Sequence, residues 1–292
     1  MNRRQDIELL RVVSAFGIIW FHTQVHGGAI GYGGLVAFLI LSIFLGGKSG
    51  APDLDTLKRR AVRLLVPWAV WFIVYGAQNA GHGESIVPLE NGMAAGIMAG
   101  PSIHLWYLPF IFLALVALDL VRAHLSARTL AYASGATALA IVATAPWWRP
   151  LTLAMPYPLL QWADASGPVM VGIFLLCAAA IPRSHGIATS ALLVLCAVAV
   201  AAFNSIGISY AIGFVACMLI SSKVLERRMT VNVAWLSEAT FGIYLAHILV
   251  YRALLKYTDL PGELMPVAIF LVSATLVIAL RKLLPRFAGI WS

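Results

Sequence analysis

Apolar runs separated by short polar or charged intervals repeat along the whole chain. A helix needs about 20 apolar residues to cross a bilayer. Ten stretches approach that length: 7–27, 30–47, 64–80, 104–121, 129–146, 168–182, 187–204, 206–222, 234–256 and 264–284. The sixth is short and the eighth is interrupted by glycine, which predicts tilted or broken helices inside a bundle. The expected fold class is therefore all-α, a polytopic transmembrane helix bundle of about ten helices. No internal repeat or low-complexity segment divides the chain, so residues 1–292 read as a single domain. One segment has a different pattern. In DLDTLKRRAVR (Asp53 to Arg63), Leu54, Leu57, Ala61 and Leu64 recur at helical spacing while Lys58, Arg59, Arg60 and Arg63 fill the other face. That predicts an interfacial amphipathic helix at the cytoplasmic surface, anchoring the chain or gripping a phosphate.

Composition agrees with a bilayer as solvent. Hydrophobic residues make up 61% of the 292 positions and charged residues 11%, against about 25% charged in soluble domains. The net charge of +8 sits in short loops and reads as a topology signal, and no basic tract interleaved with aromatics points to nucleic acid. With the N-terminus inside, 16 of the 20 Lys and Arg fall in inner loops: Arg3, Arg4, Lys48, Lys58, Arg59, Arg60, Arg63, Arg122, Arg128, Arg183, Lys223, Arg227, Arg228, Arg281, Lys282 and Arg286. This asymmetry predicts that both termini are cytoplasmic. The N-terminal stretch 1–22 looks like a signal peptide, but Glu8 and Arg11 interrupt its apolar run and no small-x-small site follows. It reads as a retained first membrane helix. Cys177, Cys196 and Cys217 lie in apolar runs without paired spacing and read as small buried residues. Two long outer loops are expected. Residues 81–103 carry Glu84 and Glu90; residues 145–167 carry Trp147, Trp148, Tyr157 and Trp162, either as interface anchors or as a sugar-stacking surface.

Ionisable residues inside membrane helices are costly and mark functional sites by default. The first helix holds Glu8, Arg11 and His22. Arg11 and His22 are eleven residues apart, almost three turns, so they share one face about 16 Å apart along the axis. Glu8 stands one turn before Arg11, placed for an ion pair. A neutral imidazole in an apolar bundle suits general-base work; the bland alternative is a histidine bonded to a neighbouring helix. His26, four residues on, could share that face, but no third ligand is near in sequence and no metal is expected. His104, Trp106 and Tyr107 open the fourth helix. Ser237, Glu238, Tyr244 and His247 fall in the ninth, where Tyr244 and His247 are three apart and face the same way.

These residues resemble acyltransferase family 3, polytopic bacterial membrane acyltransferases that modify envelope and exported glycans. IELLRVVSAFGIIWFH resembles the family's acid-x-x-Arg opening, with Glu8, Arg11 and His22 in its three places. GYGGLVAFLILSIFL resembles the Gly-rich, Phe-Leu-Ser segment that follows, with Ser42 in it. RRAVRLLVPW resembles the paired arginines before a proline, matched by Arg60 and Arg63. HLWYLPF and FGIYLAH resemble later signatures, matching His104, Trp106, Tyr107, Tyr244 and His247. Two positions depart from the pattern: Glu8 where Asp is usual, and Ile43 after Ser42 where Gly is frequent.

The resemblance implies transfer of an acetyl (acyl) group from cytoplasmic acetyl-CoA, acting as co-substrate, to a hydroxyl of a carbohydrate. The acceptor would be a polysaccharide or lipid-linked sugar, and the enzyme would sit among the lipids of a bacterial inner membrane. It implies His22 as base or acyl carrier, Arg11 and Glu8 as its catalytic partners on the same helix face, and Arg59, Arg60 and Arg63 on the donor's phosphates. Ser42, His104, Trp106, Tyr107, Tyr244 and His247 are left to bind the acceptor or polarise the carbonyl. Two other classes fit a buried polar stripe: a proton-coupled secondary transporter, against which the lack of a repeat counts, and a non-catalytic envelope assembly or lipid-binding protein.

Overall fold

The structure, a computed structural model, describes residues 4–47, 53–89, 92–155, 157–223, 226 and 231–287. Arg3, Lys48, Glu90, Arg227 and Arg228 lie outside the described residues. Among the described residues are thirteen α-helices and no strand. They are α1 (Gln5–His22), α2 (Gly28–Gly46), α3 (Leu54–Gly81), α4 (Met93–Ala99), α5 (Tyr107–Arg122), α6 (Ala127–Ala143), α7 (Ala145–Leu153), α8 (Leu159–Cys177), α9 (Arg183–Ala201), α10 (Ile206–Ser221), α11 (Ala234–Ser237), α12 (Thr240–Tyr257) and α13 (Met265–Leu283).

Each of the ten apolar stretches falls on a helix. Five helices are long and apolar enough to cross a membrane, six if α6 and α7, bent by 68°, form one span. α1 lies outside that set because its 18 residues include Asp6, Glu8 and Arg11. α5 and α10 are only 16 residues each.

The boundaries differ from expectation where side chains compete with the backbone. α1 ends at His22 rather than at 27. The Thr23 hydroxyl donates to Trp20 O (2.8 Å), the Gln24 amide donates to Phe21 O (2.9 Å), and Gln24 turns to φ +55. His26 therefore lies beyond the helix and does not share the face of His22. α3 is one continuous helix, not a surface helix followed by a separate span. Asp53 caps it, accepting from Thr56 N at 2.6 Å, and Pro67 lies inside without ending it. Its 28 residues rise about 42 Å, more than the bilayer's hydrocarbon core. α8 starts at Leu159, nine residues before the apolar run, because Asp164 is neutralised there by Arg149 (3.1 Å). The long outer stretches are also not wholly loop, since α4 and α7 form within them. The ninth stretch is broken into α11 and α12, where the Thr240 hydroxyl donates back to Ser237 O (2.7 Å).

The chain forms two compact units. The first comprises residues 1–38 and 208–292. In it α1 packs on α11, α12 and α13. Its contact with α2 is backbone to backbone. A Cβ at Gly34 would stand 2.6 Å from Ser14 O, and one at Gly31 would stand 2.6 Å from Gly17 O. Small residues allow such approach in membrane bundles. α10 closes on α2 in the same way: Ser209 donates to Ala29 O (2.7 Å), and a Cβ at Gly213 would press on Val36. Arg4 fastens the start of α1, donating to Asp6 and to Ile220 O, each at 2.6 Å.

The second unit comprises residues 39–207. There α6 packs on α8 and α9, and α3 on α5. α2 has no basic residue in its last turn. Arg60 of α3 and Arg122 at the end of α5 serve that end instead, donating to Gly46 O (3.1 Å) and Gly47 O. Cations at a helix C-terminus satisfy its orphan carbonyls and its dipole.

Candidate functional site

In the first unit, the polar face of α1 is present as its spacing predicts. Arg11 Nη1 lies 3.6 Å from Glu8 Oε2, with Glu8 buried and Arg11 about one-third exposed (32%). Ser14, one turn on, is buried and continues the face. At the far end stands His22, half-buried, with Phe21 edge-on to its ring at 5.3 Å and Tyr32 edge-on to Phe21 at 4.7 Å.

α12 brings one more expected residue, His247, to His22 and a second, Tyr244, to His247. The centroids of the His22 and His247 rings are 5.1 Å apart, and Tyr244 lies 5.9 Å from His247. His247 and Tyr244 are both buried, and Phe38 stacks on Tyr244 at 6.1 Å. His247 Nδ1 lies 2.5 Å from Tyr244 O. A carbonyl oxygen only accepts, so Nδ1 carries the hydrogen and Nε2 the lone pair in the neutral ring.

The second unit holds another group of polar residues. Ser42 of α2 and Tyr107 of α5 share a hydroxyl hydrogen bond of 2.6 Å. His104 Nδ1 lies 3.0 Å from the Ser102 hydroxyl, and Tyr75 of α3 meets the His104 ring edge-on at 5.2 Å. Asn79 fixes the approach to this group by donating to Pro101 O at 2.9 Å. Gly100, at φ +71, makes the turn before it in a conformation that side chains with a Cβ rarely adopt. Trp106 packs between Tyr107 and Phe110 rather than standing exposed.

The three arginines of α3 separate. Arg60 is turned inward, paired with the carboxylate of Asp119 and donating also to Leu115 O (3.5 Å) and Gly46 O. Arg63 and Arg59 are exposed, and Arg59 donates to the Thr56 hydroxyl at 2.8 Å. Nearby, the Thr56 hydrogen bond holds the Asp53 carboxyl below the usual carboxylate range.

Several polar residues escaped the sequence reading. Asp119 lies in α5, buried, and would have been found by treating every acid inside an apolar helix as a suspect. The same signal marks Asp164, buried in α8. Arg149 donates to it at 3.1 Å and to the Asn204 side chain at 2.8 Å. Tyr75 and Asn79 carry no charge and left no comparable signal. Glu238, by contrast, pairs with Arg281 at 3.0 Å.

Of the residues expected in the outer aromatic loop, Trp148 donates to Ile141 O (2.9 Å), Trp162 packs on Phe110 (5.7 Å) and Tyr157 donates to Ile103 O. Trp147 remains 71% exposed. No curated protein and no solved structure matches this chain. The family model for an acyltransferase domain, however, matches residues 4–280, and the chain belongs to that family, acyltransferase family 3.

Proposed function

We propose that the protein, a membrane acyltransferase, moves an acetyl group from cytoplasmic acetyl-CoA to a hydroxyl of a carbohydrate acceptor, a polysaccharide or lipid-linked sugar. The observation that carries this reading is the face of α1. An ion pair stands at its first turns and an imidazole at its last, with a second imidazole packed against it. In the proposed arrangement about ten helices span a bacterial inner membrane, both termini face the cytoplasm, and α1 runs from donor side to acceptor side. The exposed Arg59 and Arg63 meet the donor's phosphates. Arg60, held by Asp119, fixes the start of α3 against the end of α2 and so sets where those two point. The pantetheine arm extends along the face of α1 so that the thioester reaches His22.

His22 then acts as base toward the acceptor hydroxyl or takes the acyl group itself. Glu8 orients Arg11, an anchor on the donor side. Ser42, Tyr107, His104 and Trp106 are the residues left to hold the acceptor or the carbonyl oxygen.

Acetyl-CoA consumption by membranes carrying the protein tests the reading. His22→Ala is expected to lower transfer about a hundredfold or more with expression unchanged, and Arg11→Ala to abolish it. Near-normal transfer by His22→Ala overturns the catalytic assignment, and an intact protein that neither binds nor cleaves acetyl-CoA overturns the donor.

A further inference from the structure

If His22 carries the acyl group, its acylated nitrogen has no lone pair to take the proton of the attacking hydroxyl until the C–N bond breaks, so a second base beside it would take that proton during the attack. His247 stands there. Its ring centroid is 5.1 Å from that of His22, the planes inclined by 40°, and rings at that separation can share one hydroxyl between them. α12 presents His247 buried and oriented. Its Nδ1 donates to Tyr244 O, which leaves the lone pair on Nε2 and would stabilise the ring when Nε2 takes up a proton. Phe38, stacked on Tyr244, packs the segment from behind.

We infer that His22 and His247 form a two-imidazole relay in which His22 carries the acyl group and His247 is the base that deprotonates the acceptor hydroxyl. The inference rests on the acyltransferase reading above. In the first step a nitrogen of His22 attacks the thioester carbon. The C–N bond forms, the C–S bond breaks, and the ring proton of His22 passes to the departing thiolate, giving free thiol. In the second step the acceptor oxygen attacks the acyl carbon while its proton passes to His247. The C–O bond forms, the C–N bond breaks, and His247 returns the proton to the departing nitrogen of His22. Both rings end neutral. Direct transfer from donor to acceptor needs only one imidazole, so the second ring is what favours the relay.

The test uses the full chain in membranes of the cells that express it, which retain the acceptor, with radiolabelled acetyl-CoA as probe. Thiol release and label reaching non-protein material are followed separately. His247→Gln is expected to release one equivalent of thiol in a burst and then stall, with transfer at least about a hundredfold below wild type. His22→Gln gives no burst. Added imidazole is expected to restore transfer in His247→Ala, which a merely structural histidine would not allow. Transfer by His247→Gln within about threefold of wild type, loss of its burst, or failure of imidazole to restore His247→Ala overturns the relay alone. Wild-type membranes that release no thiol overturn the acetyl-CoA reading, and the relay with it.

Discussion

Arg60 and Asp119 face each other with side chains only 11% and 8% exposed, so each charge depends on the other for solvation. Removing one partner of a buried pair leaves the other uncompensated, at a cost of about 3–5 kcal/mol, while replacing both with apolar groups is far milder. Asp119→Ala is therefore expected to lower the melting temperature of the detergent-solubilised protein sharply. Asp119→Leu combined with Arg60→Met is expected to recover most of the loss, and a double variant as unstable as the single one contradicts the pairing. The two ion pairs also show where the sequence was readable. Glu8 and Arg11 are three apart on one helix, so spacing alone predicts their contact. Arg60 and Asp119 lie on two different helices, 59 positions apart, and nothing local links them. His22 and His247 fall between these cases. Each was suspect as a histidine in an apolar run, but their approach comes from the packing of α1 on α12.

At the scale of elements, apolar periodicity located the long helices well and their ends poorly, because ends are set by individual side-chain hydrogen bonds. α1 stops where Thr23 and Gln24 bond back to the helix, and α8 starts early because Arg149 neutralises Asp164. The glycines of α1 and α2 raise a sharper expectation. Gly34→Ala places a methyl group 2.6 Å from Ser14 O, so α2 must move away from α1, at about 1–3 kcal/mol. Gly186→Ala in α9 meets nothing within 4 Å and should instead stabilise by up to about 1 kcal/mol through helix propensity. Thermal melting of the two variants checks the opposite signs, and equal shifts would show that the α1–α2 contact is not tight. The start of α3 supplies a pH dependence. The folded-state pKa of Asp53 is lowered by its bond to Thr56, so its cap is fully present above the ordinary carboxylate pKa and is lost as pH falls through the lowered value. Amide exchange over Leu57 to Arg60 should rise in that acid range relative to an Asp53→Asn variant, whose cap does not titrate. Parallel pH profiles for the two would remove the assignment.

For the molecule as a whole, what the sequence carried best is the class of the chain and the distribution of its charge. Few charged residues over 292 positions require a bilayer, and the structure answers with helices in every apolar stretch. Composition had no means of showing the division into two compact units, or that the α1–α12 polar group falls in one and the α3–α5 polar group in the other, which follow from long-range packing. The charge asymmetry makes the last prediction. With an inner N-terminus and ten crossings, the segments after α3 and α12 lie outside, and those after α5 and α8 lie inside. Exposed Glu84 and Asp259 report on the first pair, and exposed His124 and Ser184 on the second. In a background with Cys177, Cys196 and Cys217 replaced, Glu84→Cys and Asp259→Cys are expected to react with a membrane-impermeant maleimide on intact cells. His124→Cys and Ser184→Cys should react only after the membrane is opened. If α1 does not cross, every later segment inverts and the two pairs exchange behaviour. If the bent α6–α7 pair is re-entrant, Glu84 and His124 keep their expected sides while Ser184 and Asp259 exchange theirs. The four positions therefore separate an error in the first helix from one in the middle of the chain.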